Sequence, residues 1–208
     1  MHKKEILLIG AGGHAKSCID VIEAEGKFQI VGLIGGESEK GKTVLNYDVI
    51  GDDSDLPSLG QKIRNAIVVI GQIKTFEIRK NIYLKLKSLG YNLPSIVSPL
   101  AYVSKYAKIG DGTMLLHHSI VNAGAIVGEN CIINSRSLIE HDVKIEDHCH
   151  VSTSAVLNGH CQVGEGSFIG SGSILKEGVS IGSGCIVGMG SIVIKNVSDR
   201  ETFVSRFA

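Results

Sequence analysis

From Val103 onward an aliphatic residue occupies every sixth position: Ile109, Leu115, Val121, Val127, Ile133, Ile139, Ile145, Val151, Leu157, Val163, Ile169, Leu175, Ile181, Val187 and Val193. Two residues before each stands a small or β-branched one, in the series Ala101, Ala107, Thr113, Ser119, Ala125, Cys131, Ser137, Val143, Cys149, Ala155, Cys161, Ser167, Ser173, Val179, Cys185 and Ser191. A period of six is neither helical nor a plain strand alternation. Residues two apart on a strand share a face, so each unit points one large and one small group inward and then turns. Three units close a triangle, which makes one coil of a parallel β-helix. The run from Ala101 to Val193 holds about five coils of roughly eighteen residues.

The N-terminal half has a different grammar. Lys4 to Gly10 (KEILLIG) reads as a buried strand, a short apolar run ending at glycine. Ala15, Cys18, Ile19 and Ile22 recur at helical spacing from His14 to Glu25, and Gly26 supplies a stop. Phe28 to Ile34 and Ile67 to Ile70 read as further strands, and Phe76 to Leu89 as a helix with Ile78, Ile82, Leu86 and Leu89 on one face. Alternating strands and helices imply a small parallel sheet of Rossmann-like α/β type. Two domains follow, residues 1–95 and 96–208.

The first strand-to-helix turn is Gly10-Ala11-Gly12-Gly13-His14. Its glycines allow close backbone approach, and the helix start offers N–H groups to a phosphate. A dinucleotide-binding domain normally adds an acid at the end of the second strand to hold a ribose. Gly35-Gly36 stands there, which argues against an NAD or NADP enzyme and leaves another nucleotide open.

Charge is balanced at 21 basic and 21 acidic residues, so no net field favours nucleic acid or a membrane surface. No apolar run reaches the length of a membrane span, about eighteen residues. The start Met1-His2-Lys3-Lys4 before Ile6 to Ile9 is too short in its apolar part for a signal peptide, and the cytoplasm is the expected location. Cys131, Cys149, Cys161 and Cys185 fall in the small inward series, where Ser and Ala also serve, so they read as buried reduced thiols, and Cys18 as helix core.

Chemistry must therefore come from polar residues that the repeat does not require. Six histidines lie in the repeat outside both inward series: His117, His118, His141, His148, His150 and His160. Imidazole suits a base working near neutral pH. His141 is flanked by Glu140 and Asp142, and a carboxylate neighbour fixes a tautomer and stabilises the cation. His117, His118, His148 and His160 read as turn decoration.

The stretches IGAGGHA (Ile9 to Ala15), IVSPLAYVSKYAKIG (Ile96 to Gly110), IIN (Ile132 to Asn134) and LIEHDVKIEDHCHVSTSAVLNG (Leu138 to Gly159) resemble the NeuD/PglD-type sugar acyltransferases over nearly the whole chain. That resemblance implies a left-handed β-helix and an acetyl-CoA-dependent transfer without metal, with active sites between adjacent subunits of a homotrimer. It makes His141 the general base, with Asp142 its orienting carboxylate and Glu140 the second choice. His150 and the Gly159 N–H would face the acetyl carbonyl as donors. Asn134 would line the acceptor site, together with Gly10, Gly12, Gly13 and His14. Gly170, Ser171, Gly188 and Met189 would border the pantetheine arm. The expected acceptor is the 4-amino group of a UDP-linked 4-amino-4,6-dideoxy-N-acetylhexosamine of the bacillosamine or legionaminic type, attacking the thioester directly.

The chain departs from the family at Gly35-Gly36, where acids commonly contact the nucleoside, in the longer Gly71–Thr75 turn, and in Thr202–Ala208, which lacks the usual closing turn over coenzyme A. The alternatives are O-acetylation of a sialic-acid-type sugar, a zinc-dependent hydratase using His117, His118 and His141, and a non-catalytic sensor of sugar nucleotides.

Overall fold

The computed structural model describes residues 3–205. Met1 and His2, and Arg206 to Ala208 of the atypical C-terminal segment, lie outside the described residues.

The N-terminal α/β unit is a five-stranded sheet in the order β3-β4-β2-β1-β5. Its elements are β1 (Lys4–Ile9), α1 (Gly13–Glu25), β2 (Phe28–Ile34), β3 (Thr43–Val44), β4 (Tyr47–Gly51), the single turn α2 (Leu56–Leu59), β5 (Asn65–Val68) and α3 (Glu77–Ser88). The β3–β4 hairpin was not anticipated; β4 runs parallel beside β2, and β3 pairs with it antiparallel. β5 starts two residues earlier than the apolar run suggests. Its exit is tight, since a Cβ on Gly10 (φ +124) would lie 2.5 Å from Ile70 Cγ1.

Helix α3 also differs from expectation. Its buried stripe is Arg79, Tyr83 and Leu86, whereas Ile78 is exposed. The physical reason is that α3 has two neighbours, the sheet on one side and the β-helix on the other. Arg79, Tyr83, Lys80 and Lys87 make polar contacts to the second, so apolar periodicity places Leu86, Ile82 and Leu89 against the core but misplaces Ile78 and misses Arg79 and Tyr83.

From Ile96 the chain winds into three parallel sheets of stacked two-residue strands. Both inward series are buried from Thr113 and Leu115 to Ser191 and Val193 and pack as one core. Each large member contributes roughly 1.5–3 kcal/mol on burial. The first coil is looser, with Ala101, Val103, Ala107 and Ile109 only half-buried. A third series of period six sets the turns: Gly112, His118, Gly124, Asn130, Arg136, Asp142, His148, Ser154 and His160 all have φ between 51° and 77°. Left-handed backbone is tolerated by Gly and, among other residues, most readily by Asn, Asp and His. At the C-terminus Thr202–Phe203 adds one more strand beside Ile186–Val187.

The outer surfaces of the three sheets differ, and this difference positions the site. One face carries Ile96, Met114, Ile132 and His150 outward and is covered by the α/β unit, so all four are buried. The second carries Lys108, Ile126, Lys144, Gln162 and Ser180, mostly polar. The third carries Tyr102, Ile120, Leu138, Val156, Ile174 and Ile192, an apolar ladder in which Tyr102, Ile120, Ile174 and Ile192 are exposed. Among the described residues no helix is long and apolar enough to cross a membrane.

Candidate active site

His141 and Asp142 form the turn where the chain leaves the apolar face for the polar one. The left-handed backbone of Asp142 (φ 60°) swings its carboxylate beside the preceding ring, and His141 Nδ1 meets Asp142 Oδ2 at 2.9 Å. Glu140 does not reach the ring; its Oε2 accepts from Asn122 Nδ2 at 2.9 Å. A carboxylate accepts, so Nδ1 carries a proton, and in the neutral ring Nε2 keeps a lone pair. The hydrogen bond to Asp142 raises the His141 pKa above its ordinary value, and the charges of Asp142, Glu140 and Glu177 add to this.

One coil above, Gly159 backs the ring. A Cβ there would lie 2.7 Å from His141 Cε1 and Nε2, so only glycine leaves the imidazole its place. The Gly159 carbonyl accepts from Gly178, while among the described residues its own N–H finds no backbone acceptor. His160 stands edge-on to His141, ring centroids 5.2 Å apart, with Nε2 4.0 Å from Asp142 Oδ2. His141, Asp142 and His160 offer three potential ligand atoms within 4.8 Å, the one such trio among the described residues. His117, proposed above as a zinc ligand with His141, is instead bonded to Ser98 Oγ at 2.6 Å and Asp20 Oδ2 at 2.8 Å.

A second group lies at the opposite edge of the apolar face. Asn134 opens the turn after Ile132–Ile133, and Ser171 and Met189 occupy the corresponding turns of higher coils. Ser171 Oγ is 2.9 Å from Ser152 Oγ, and Met189 is 81% exposed. Gly170 answers to packing: a Cβ there would lie 2.5 Å from the Met189 nitrogen. His150, beside Asn134 on the covered face, is 6% exposed. Its Nδ1 donates to the Gln72 carbonyl at 2.7 Å, and Asn134 Nδ2 is 3.3 Å from its Nε2. Burial lowers its pKa to about 3, the Gln72 bond opposing and the nearby Arg79 charge and His14 assisting.

The glycine turn lies on the α/β unit. Gly10 and Gly12 line a cavity of about 800 Å³ that also includes Gly35, Gly36, Glu37, Glu39, Asp52 and Asp53. Gly13 and His14 are not in its wall. His14 turns inward, its ring 6.3 Å from that of His150, with Nε2 buried and unpartnered and its pKa lowered to about 4 by burial and by Arg79. Sequence reasoning missed the acids of this cavity. Glu39 Oε2 accepts from the Gly36 N–H at 2.8 Å, so a carboxylate stands beside the Gly35-Gly36 pair although no acid follows the strand directly. An acid three residues past Gly36 was the available signal. Gln72 and Arg79 were missed as well, because a loop glutamine and a helix arginine carry no pattern of their own.

Within one chain the His141 group and the Asn134–His150 group therefore stay apart, at opposite edges of one sheet. All five cysteines are free and buried, and burial raises the pKa of Cys18, Cys149, Cys161 and Cys185, which makes these four poor nucleophiles.

Comparison with known proteins gives two family matches, the PglD N-terminal domain over residues 5–86 and the bacterial transferase hexapeptide repeat over 106–141 and 160–195. No curated protein matches the sequence. Among solved structures, PerB from Caulobacter crescentus, in complex with CoA and GDP-perosamine, superposes with a TM-score of 0.91 at 30% identity, covering 97% of this chain and 94% of that one. The acetyltransferase domain of PglB from Neisseria gonorrhoeae, in complex with acetyl coenzyme A, gives 0.90 at 28% identity over 98% and 97%. WeeI from Acinetobacter baumannii shares the fold, at 0.85 and 23% identity over 98% and 97%.

Proposed function

The chain belongs to the NeuD/PglD-like family of hexapeptide-repeat sugar acyltransferases and is an acetyl-CoA-dependent sugar acetyltransferase, and we propose that it transfers the acetyl group to the amine of a nucleotide-linked 4-amino-4,6-dideoxy sugar. The observation that carries the mechanism is the exposed His141–Asp142 pair beside the Gly159 N–H. His141 Nε2 takes a proton from the acceptor nitrogen as the nitrogen attacks the thioester carbonyl. Asp142 stabilises the imidazolium so formed, and the Gly159 N–H donates to the oxygen on which negative charge develops. Collapse expels the coenzyme A thiolate, to which His141 returns the proton. A thioester is already activated, so no acyl-enzyme is required.

On this reading residues 1–95 bind the nucleotide sugar in the cavity above Gly10 and Gly12, and residues 96–208 carry the transfer. Asn134 and His150 face the reacting groups, and Gly170, Ser171, Gly188 and Met189 border the pantetheine arm. Support for a site shared between three copies comes from the exposed apolar ladder of Tyr102, Ile120, Ile174 and Ile192. Burying that face against neighbouring copies brings one edge of the sheet, with His141, toward the other edge of the next chain, with Asn134. PerB's complex with GDP-perosamine supports an amino-sugar acceptor over the sialic-acid-type alternative.

Coenzyme A release is the test, measured with UDP- and GDP-linked 4-amino sugars and with a sialic-acid-type sugar. Turnover is expected with an amino sugar; turnover with the sialic-acid-type sugar alone would replace N- by O-acetylation. The shared site has its own check, because mixing inactive His141→Ala and Asn134→Ala chains should restore part of the activity once subunits exchange. No recovery in verified mixed oligomers rejects the sharing.

A further inference from the structure

Arg79 is 1% exposed, its Nε has no partner, and among the described residues no carboxylate pairs with it. Burying a lone cation costs several kcal/mol, and apolar replacements of buried charges are often neutral or stabilising. Stability alone therefore gives little reason for an arginine here. What it does is orient its neighbours. Nη1 donates to Gln72 Oε1 at 3.1 Å, and Nη2 donates to the Asn130 carbonyl at 2.9 Å and to its Oδ1 at 3.1 Å.

With Gln72 Oε1 taken by Arg79, the other end of that amide donates to the Gly166 carbonyl at 2.9 Å. The Gln72 side chain is thus fastened at both ends, and its backbone carbonyl is held against His150 Nδ1 at 2.7 Å. A carbonyl only accepts, so Nδ1 carries a proton, and in the neutral ring Nε2 carries a lone pair. The orientation of Asn134 is forced in the same way. Its Oδ1 accepts from the Ser135 N–H at 2.7 Å, which turns Nδ2 toward His150 Nε2. One N–H of that amide points at the ring, and the second is left for a ligand.

We propose that Arg79 and Gln72 are positioning residues that fix His150 as a hydrogen-bond acceptor, and that Asn134, rather than His150, supplies the side-chain N–H that meets the acetyl carbonyl oxygen. This rests on the acetyl-transfer reading above for the identity of the oxygen, but not for the state of the ring. It also reverses the donor role that the family resemblance suggests for His150. The low proton affinity that burial imposes on the ring agrees with it.

The ring state is read directly by ¹⁵N–¹H correlation spectroscopy of the imidazole nitrogens in the full-length protein at pH 7, with His150 assigned by the loss of its signals in His150→Gln. A neutral ring protonated at Nδ1 is expected. A ring protonated at Nε2, or a cation, overturns the proposal. In turnover, Asn134→Asp removes the donor and is expected to lower kcat by about 10²- to 10³-fold, the loss typical of one oxyanion donor, with coenzyme A affinity little changed. Asn134→Ser, which keeps a hydroxyl donor, should recover part of it; a wild-type kcat in Asn134→Asp overturns the donor assignment. Gln72→Ala should allow both ring tautomers and lower kcat, and if it fails to fold, the wild-type spectrum and the Asn134 variants still decide. A protein with the expected ring state that transfers no acetyl group to any sugar refutes the functional reading and leaves the tautomer standing.

Discussion

His141 and His150 stand nine residues apart in the sequence and meet opposite conditions. His141 projects from an open turn, paired with Asp142, and its proton affinity is raised. His150 lies under the α/β unit against a backbone carbonyl, and its proton affinity is lowered to about 3. In both rings the proton is on Nδ1, so the difference is one of basicity and not of tautomer. The lesson is that the repeat supplies both kinds of histidine by changing what covers a turn or a strand: a corner left in water beside a carboxylate yields a ring of raised basicity, and a face covered by the α/β unit yields one of lowered basicity.

The sharpest way to break this contrast is to remove the proposed base. His141→Ala should lower turnover by about 10²- to 10⁴-fold while coenzyme A binding and sedimentation stay as in the wild type; unchanged turnover would dismiss His141. A smaller effect is expected from Asp142→Asn. The base works when neutral, so activity is lost as pH falls through its pKa, and the carboxylate moves that loss to higher pH. Without it the acid limb of kcat/KM should shift to lower pH, less any compensation from Glu140 and Glu177, and an unmoved limb would mean that the Asp142 contact does not tune the base. The smallest effect is on stability. His150 binds protons less readily folded than unfolded, where its pKa is about 6.5, so its contribution is complete above that value and is lost as pH falls toward 3. Arg79, His14, the Gln72 carbonyl and Asn134 face this ring. His150→Gln should therefore lose less thermal stability than the wild type between pH 7 and pH 5, with His14, lowered to about 4, contributing a similar loss in both proteins.

Much of the fold was readable because packing repeats. From Thr113 and Leu115 onward both inward series fall on buried positions, since a coil of this size admits one large and one small side chain per face, and β1, α1 and β2 follow from apolar spacing and glycine stops. What escaped was whatever depends on two parts of the chain meeting. The burial of Arg79 on α3 depends on the β-helix residue Asn130 that it meets, whereas Ile78 is exposed. Glu39 reaches Gly36 through a short 3-10 turn, Glu37–Glu39, whose spacing signals a capped turn but not the cavity that Asp52 and Asp53 complete from another segment. The neighbour of His141 could be anticipated because it is adjacent in the chain; Gln72, the partner of His150, is 78 residues away.

The docking of α3 also bears on how this enzyme can be re-engineered. Arg79 bridges to Asn130, Tyr83 and Lys87 to Glu129, and Lys80 to Glu165, so the two halves are not interchangeable cassettes. A chimera that borrows a foreign α/β half would have to import the matching coil corners with it, or leave the β-helix facing an ill-fitting neighbour.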